Sequence, residues 1–318
     1  MTIGSRTACI FGGTGFIGRQ IVREMAALGF RVKVATRVPE RAFDLKPCGT
    51  PGQIVPVGCD YSETALLEAV KGCEVVVNCV GILFEKGRKS RFQGLHAELP
   101  GRIGRAAALA GVKRLVHLSA LGVDQAGSKY AKTKRAGEES VLAFFPRATI
   151  LRPSVVFGVD DGFFNMFARL SVVMPMLPLI GGGKTKLQPV YVGDVADAVL
   201  SVLAREETAG QIYELGGPDV LTLREIYQTM FSYTHRPKAL IVLPWCIAKI
   251  QGAIMGLMPH PLLTADQVET LKTDNIVVPG RPGLADLGVR PTALVAILPT
   301  YLSRFQPGGR FGNKKMAS

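Results

Sequence analysis

Metal chemistry and disulfide scaffolding have little material to work with in this sequence. Its four histidines and six cysteines (Cys9, Cys48, Cys59, Cys73, Cys79, Cys246) include no CxxC pair and no metal-ligand spacing. We therefore expect no metal site, and free thiols buried in a protein of a reducing compartment. Long apolar runs are also missing. The longest, residues 239–248, contains Pro244 and stops at Lys249, so no transmembrane segment is expected. Basic runs of about five to eight residues are missing too, which argues against a nucleic-acid partner. The first predicted strand begins six residues after Met1, from which no secretory signal or cleavable transit peptide is expected. There is no internal repeat and no long linker.

Acid is in short supply. Asp and Glu number 25 against 38 Lys and Arg, giving a net charge of +13. A chain so basic suits an anionic partner, and without a nucleic-acid motif an acidic lipid or protein surface fits best. The tail from residue 304 onward carries Arg304, Arg310, Lys314 and Lys315 with no acid. It reads as disordered in isolation, and each charge is worth about 1 kcal/mol near anionic lipid.

Glycine is plentiful where it matters. A short apolar run, residues 7–11, breaks into Gly12-Gly13-Thr14-Gly15-Phe16-Ile17-Gly18 and then into an amphipathic segment with Ile21, Val22, Met25 and Leu28. That is strand, tight loop and helix, the opening of a dinucleotide-binding βαβ unit. Gly12 and Gly13 allow backbone dihedrals that a side chain forbids. Gly15 admits a pyrophosphate to the helix N-terminus, where unpaired N–H groups and the helix dipole favour an anion. Gly18 lets the helix pack closely.

The end of the second strand distinguishes between dinucleotides. An acid there bonds the ribose 2′-hydroxyl of NAD. Here the strand at 31–36 is followed by Arg37, and Arg41 comes a turn later. Guanidinium groups match a 2′-phosphate, so the site reads as one for NADPH; the plainer alternative is two solvated surface arginines. Asp60, after a third strand at 53–57, either meets the adenine amino group or caps the helix starting near Ser62.

Strands and helices go on alternating: strand 74–79, helix 95–110, strand 114–118, helix 130–144, strand 148–152. This rhythm predicts an α/β fold with a doubly wound parallel sheet. Beyond residue 153 it becomes irregular. Residues 174–179, rich in proline, and Gly181–Gly183 read as loop, and 174–186 as a whole as a second docking loop. A strand at 187–192 leads into a helix at 194–204 capped by Asp194. Short elements follow: helix 223–231, strand 239–243, helices 245–257 and 264–271, and a last helix at 292–305. Residues 1–160 read as the nucleotide-binding domain, receiving part of 187–217. Residues 161–318 read as a small, mostly helical annex. Its segment 244–258, apolar nearly all round, is either annex core or a surface that meets lipid or a hydrophobic partner.

Tyr130 and Lys134 stand one turn apart at the start of the helix after the fifth strand. An ammonium beside a phenol lowers its pKa and readies it to exchange a proton with a carbonyl or alcohol. Taken together, the glycine loop, Asn78-Cys79-Val80-Gly81, Tyr130/Lys134, residues 151–158 (LRPSVVFG) and 188–196 (QPVYVGDVA) resemble the extended and atypical short-chain dehydrogenase/reductase superfamily, which has a Rossmann fold. Residues 110–119, 128–138, 146–154 and 157–161 with Phe164-Asn165 narrow the resemblance. They are similar to the NADPH-binding accessory subunits of respiratory complex I, NADH:ubiquinone oxidoreductase, in bacterial form.

The resemblance spans roughly residues 5–305. It implies one tightly held NADPH per chain, contacted by the glycine loop, Arg37, Arg41, Asp60, Tyr61, Cys79, Val80, Gly81, Ser119, Tyr130, Lys134, Pro153 and Val156. Active enzymes of the superfamily place a Ser or Thr two residues beyond the serine that closes strand five; here that position is Leu121, and Ser119 closes the strand. A lost hydroxyl of this kind typically costs a few kcal/mol of transition-state stabilisation. The expectation is a non-catalytic subunit at the junction of the peripheral and membrane arms, near the quinone site. It would be peripheral on the cytoplasmic side of a bacterial inner membrane or, alternatively, on the matrix side in mitochondria. Two other readings are an active NADPH-dependent reductase or epimerase, on a quinone-like, isoprenoid or sugar-nucleotide substrate, and an NADPH sensor.

Overall fold

A computed structural model describes residues 6–87, 90–259 and 261–309. From the N-terminus, β1 (Thr7–Phe11) passes through the glycine loop into α1 (Phe16–Ala27) and β2 (Arg31–Thr36). A 3₁₀ segment (Pro39–Cys48), β3 (Ile54–Gly58), α2 (Glu63–Val70) and β4 (Val75–Asn78) follow. A π-helical turn (Gln93–Glu98) runs into α3 (Leu99–Leu109), then come β5 (Arg114–Leu118), α4 (Lys129–Phe144) and β6 (Thr149–Pro153). The second part holds β7 (Val156–Phe157), α5 (Phe164–Val173), β8 (Met176–Ile180), β9 (Lys186–Leu187), β10 (Val190–Tyr191), α6 (Val192–Ala204) and β11 (Ile212–Leu215). It closes with β12 (Leu221–Thr222), α7 (Leu223–Thr234), β13 (Ala239–Leu243), α8 (Trp245–Met255), α9 (Ala265–Thr270) and α10 (Leu294–Leu302).

Seven strands form one sheet in the order β11-β6-β5-β4-β1-β2-β3, every pairing parallel. Chain direction across the sheet reverses between β1 and β4, the point where doubly wound folds open a ligand crevice at the carboxyl ends of the strands. Both faces of the sheet are covered, which is why β4 and β5 are buried along their whole length. On one face Ile21, Val22 and Met25 of α1 pack with Val195, Val199 and Val202 of α6. On the other, Leu66 of α2, Leu99 and Ile103 of α3 and Val141 of α4 form the second core.

The annex has its own core, with Phe157, Phe164, Tyr227, Leu298 and Tyr301 at its centre. It is interleaved with the sheet half, because β11 and α6 are supplied from beyond residue 190 and Leu284 and Leu287 pack into the α1/α6 core. Capping boxes (Thr222 with Glu225, Thr264 with Gln267) start α7 and α9.

Several expectations are corrected here. The proline-rich stretch is not a loop: β8 pairs in parallel with β13, and Pro178 is tolerated in a two-stranded pair where few ladder bonds are needed. The strand expected at 187–192 is two short pieces, β9 and β10, in different sheets. Asp194 is not a cap; α6 begins two residues earlier, and the Asp194 carboxylate accepts from the Thr292 N–H and hydroxyl, both at 2.7 Å. The 244–258 segment is no core helix: α8 buries only Ala248 and Gly252 and exposes Ile247, Ile250 and Ile254. Of the basic tail, Arg304 bonds the side chain of Asn165, while Arg310, Lys314 and Lys315 lie outside the described residues. Among the described residues no helix is long and apolar enough to cross a membrane.

Candidate cofactor site

The glycine loop folds tightly because its neighbours leave no room for side chains. Gly12 has φ +76°, and a Cβ there would lie 2.8 Å from the Cys79 carbonyl carbon. Gly13 has ordinary dihedrals, contrary to expectation; what it needs is space, since a Cβ would stand 2.9 Å from Val34. At Gly18 a Cβ would fall 2.2 Å from the Gly12 carbonyl oxygen, so this glycine packs α1 on the loop itself rather than on the sheet. Gly15 caps α1 with no side chain bonded to the first-turn amides and no acid in that turn. The amides of Phe16, Ile17 and Gly18 thus form an anion-ready N-terminus. Thr14 accepts from Arg19 Nε through its carbonyl at 3.1 Å, which holds the loop shut behind it.

At the ends of β2 and β3 lies an open depression of about 560 Å³ lined by Arg37, Gly58, Cys59, Asp60, Ser62, Thr64 and Ala65. The Arg37 guanidinium lies 5.7 Å from the centre of the Tyr61 ring. Tyr61 itself adopts φ +70°, a left-handed backbone uncommon for an aromatic residue, and its carbonyl accepts from Arg102. Asp60 does not cap the helix: Ser62 does so through Ala65 N–H, while Asp60 accepts from the Ser62 N–H at 2.8 Å. That bond holds the Asp60 carboxyl below its ordinary pKa, so the depression carries both a guanidinium and a carboxylate. Arg41 is exposed on the 3₁₀ segment, outside this lining.

The other end of the crevice is assembled from β4, β5, β6 and α4. Cys79 N–H donates to Phe11 at 2.8 Å and Val80 N–H to the Asn78 side chain at 3.1 Å, so the β4 loop lies against the glycine loop. Gly81 stands over Lys134 and His96; a Cβ on it would be 3.4 Å from Lys134 Nζ. Lys134 is buried, donates to the Leu118 carbonyl at 3.0 Å, and is pushed down to about 8 by burial. Tyr130 corrects a second expectation. Its ring packs edge-on to Phe92 and His96, and burial pushes the phenol up to about 12. Lys134 does not offset that rise.

Burial also pushes the Cys79 thiol up to about 12. Pro153 closes β6 and accepts from Leu121 N–H at 2.9 Å; Val156 sits half-buried on β7 opposite Val190.

His96 and His117 give no sequence signal, since a lone histidine in a helical or strand segment is most often core. Here His96 Nε2 accepts from Ile82 N–H at 2.9 Å, and His117 Nδ1 bonds the Asn78 amide at 3.0 Å. Burial drives both imidazoles down, His96 to about 3. Three buried polar atoms at this end have no partner among the described residues: His96 Nδ1, His117 Nε2 and Ser119 Oγ. Buried groups of this kind are normally bonded to something. The cradle that a Cβ would fill and these orphaned atoms fit a polar ligand laid across the crevice. Among the described residues no group of His, Cys, Asp and Glu could hold a metal ion.

Comparison with known proteins agrees with this geometry. Residues 8–216 match the NAD dependent epimerase/dehydratase family. The chain is 34% identical to the mitochondrial NADH dehydrogenase (ubiquinone) 1 alpha subcomplex subunit 9 of Arabidopsis thaliana, over 96% of this chain and 80% of that protein. It is 30% identical to the mitochondrial NADH-ubiquinone oxidoreductase 40 kDa subunit of Neurospora crassa, over 96% and 81%. A dTDP-glucose 4,6-dehydratase from Streptomyces venezuelae, solved with NAD bound, shares the fold with a TM-score of 0.71 at 21% identity, covering 93% of this chain and 95% of that one. The fold is an NAD(P)-binding one, and the chain belongs to the NAD dependent epimerase/dehydratase family, in the branch that includes these NADH-ubiquinone oxidoreductase subunits.

Proposed function

We propose that this protein is a non-catalytic accessory subunit of respiratory complex I that keeps one NADPH per chain as a structural cofactor and stabilises the junction of the peripheral and membrane arms. Its partners are core subunits near the quinone site, on the cytoplasmic side of a bacterial inner membrane or the matrix side in mitochondria. The names of the relatives support the complex. One observation carries the cofactor reading: the cradle is intact while Leu121, buried and bonded only through its backbone, holds the place where a carbonyl-polarising hydroxyl belongs.

The amides after Gly15 would hold the pyrophosphate, and Arg37, with Arg41 behind it, the 2′-phosphate. Asp60 and Tyr61 would flank the adenine. Cys79, Val80, Gly81, Ser119, Tyr130, Lys134, Pro153 and Val156 would line the other end. A bound NADPH would supply a hydride donor. On this chain's side, a phenol raised to about 12 holds its proton firmly, and a lysine bonded to a backbone carbonyl is engaged in positioning. The exposed aliphatic face of α8 supports contact with acidic lipid or a hydrophobic partner: residues 226–265 contain Arg236, Lys238 and Lys249 and no acid.

Native mass spectrometry of mildly solubilised membranes tests this. Co-migration with the complex I core, releasing about one NADPH per chain on denaturation, is the expected result. A free protein with little nucleotide would overturn it. Arg37→Asp is expected to shift the bound nucleotide toward NADH by roughly tenfold or more, as loss of a charge-assisted phosphate contact implies. The alternative, an active reductase, is favoured by the Tyr130–Lys134 spacing. It requires substrate-dependent NADPH oxidation that disappears in Tyr130→Phe.

A further inference from the structure

The Tyr130 end of the crevice is crossed by a piece of the annex that belongs to none of the sequence motifs. Asp266, at the start of α9, accepts from Lys129 N–H at 2.6 Å with one carboxylate oxygen and from Tyr130 N–H at 3.1 Å with the other. Further along, Asn275 Nδ2 donates to the Leu121 carbonyl at 2.9 Å, and its Oδ1 accepts from Ser154 Oγ at 2.6 Å. The Asn275 backbone is fixed to the annex through Lys186 and Gln188. Beyond it, Val278 N–H donates to Glu214 at 2.8 Å, and Arg281 pairs with Asp124 and Glu214.

One segment therefore ties together the loops after β5 and β6 and the N-terminus of α4. An ionised carboxylate on two helix N-terminal amides is a strong tether, because charge-assisted bonds and the helix dipole act together. The cavity between this segment and Leu121, Gly122 and Asp124 measures about 20 Å³, room for roughly one water. The two ends of the crevice thus differ: the Arg37 end is an open depression, while at the Tyr130 end the annex is bonded to the Lys129, Tyr130 and Leu121 backbones.

We propose that residues 264–283 form a clasp over the Tyr130 end of the cofactor site, and that Asp266 and Asn275 are positioning residues that set how slowly a bound dinucleotide leaves. The clasp is bonded to the backbones of Leu121 and Tyr130. It rests on the reading that the protein retains NADPH, and explains how it does so without chemical turnover.

The test follows exchange of bound NADPH against deuterated NADPH on the purified full chain by native mass spectrometry. Asp266→Ala and Asn275→Ala are each expected to exchange at least about tenfold faster, as loss of hydrogen bonds of this strength implies. Lys113→Ala removes an ion pair with Glu74 (2.9 Å) at the amino ends of β4 and β5, the sheet edge opposite the crevice, and is expected to exchange at the wild-type rate. Unchanged exchange in the clasp variants, or equal acceleration in Lys113→Ala, overturns the clasp and leaves the cofactor reading standing. A wild-type chain that arrives without NADPH overturns that reading and the clasp with it. Should Asp266→Ala fail to fold, Asp266→Asn keeps the shape without the charge, and an intermediate rate is expected.

Discussion

The sheet half and the annex bury their residues in different ways, and the difference separates what holds this protein together from what it presents. In the sheet half the strands pair over four to six residues and the central ones are wholly buried. In the annex the strands are paired only in twos, four of the six being just two residues long, with exposed aliphatics nearby. The first arrangement builds a rigid crevice; the second leaves a face uncovered. Ionic contacts follow the same division. Arg152 on β6 is buried between Glu138 at 2.6 Å, Asp124 at 2.6 Å and Glu214 at 3.8 Å, whereas Lys249 on α8 reaches Glu269 only at 3.9 Å, largely in solvent.

The sharpest way to break this comparison is Arg152→Met. Removing the guanidinium leaves Glu138 buried without its ion pair and Glu214 with Arg281 alone, and breaking a buried pair in this way typically costs about 3–5 kcal/mol. Chemical denaturation should show that loss, and a cost below about 1 kcal/mol would mean that the sheet half tolerates unpaired charge. Gly18→Ala should cost less, about 1–3 kcal/mol, because the added methyl is forced against the Gly12 carbonyl. It should also empty the nucleotide site, so loss of NADPH with a modest drop in melting temperature is the expected pair of results.

A third test uses acid. Burial keeps His96 and His117 neutral in the folded chain, His96 with its pKa near 3, while in the unfolded chain both take up protons near 6.5. Between about pH 3 and 6.5 the unfolded state therefore binds more protons, and stability falls as pH falls through that window. His96→Gln removes one such group and should lose less stability than wild type between about pH 7 and pH 4, measured as urea midpoints. Carboxylates raised by burial, such as Asp161, tilt the profile the other way, and comparing the two proteins cancels them. Parallel profiles would show that His96 titrates alike in both states.

What could be read from the sequence follows the same division. β5 falls where expected, at Arg114–Leu118, and the glycine loop, Arg37, Tyr130 and Lys134 stand in short local patterns that can be seen without knowing what packs on them. β8 escaped because Pro175 and Pro178 suggest a loop, and only its pairing with β13, more than sixty residues on, makes it a strand. The clasp gives no local signal at all: Asp266 and Asn275 meet their partners across 137 and 154 residues. The depressed phenol pKa expected from the Tyr130–Lys134 spacing failed for a related reason. Spacing reports proximity, but burial by Phe92 and His96 decides the titration, and those contacts come from another element.

The smallest effect on stability should come from the annex face, and there it is most informative. Ile250 and Ile254 are 63% and 65% exposed on one side of α8, so replacing both by Ser removes little buried area. Folding stability should change by no more than about 0.5 kcal/mol per site, the range for surface substitutions away from specific contacts. Binding is another matter. If that face inserts among acyl chains, each isoleucine contributes its remaining apolar area only on docking, and two together should weaken association with anionic vesicles by roughly tenfold or more. Lys249, which precedes Ile250, adds an electrostatic part that high salt should screen. A double variant that melts like wild type but no longer sediments with anionic vesicles would make the exposed side of the annex its working surface. Undiminished vesicle binding would move that role off α8, and unaltered binding to neutral vesicles would show that acidic headgroups are not what the excess of positive charge is for.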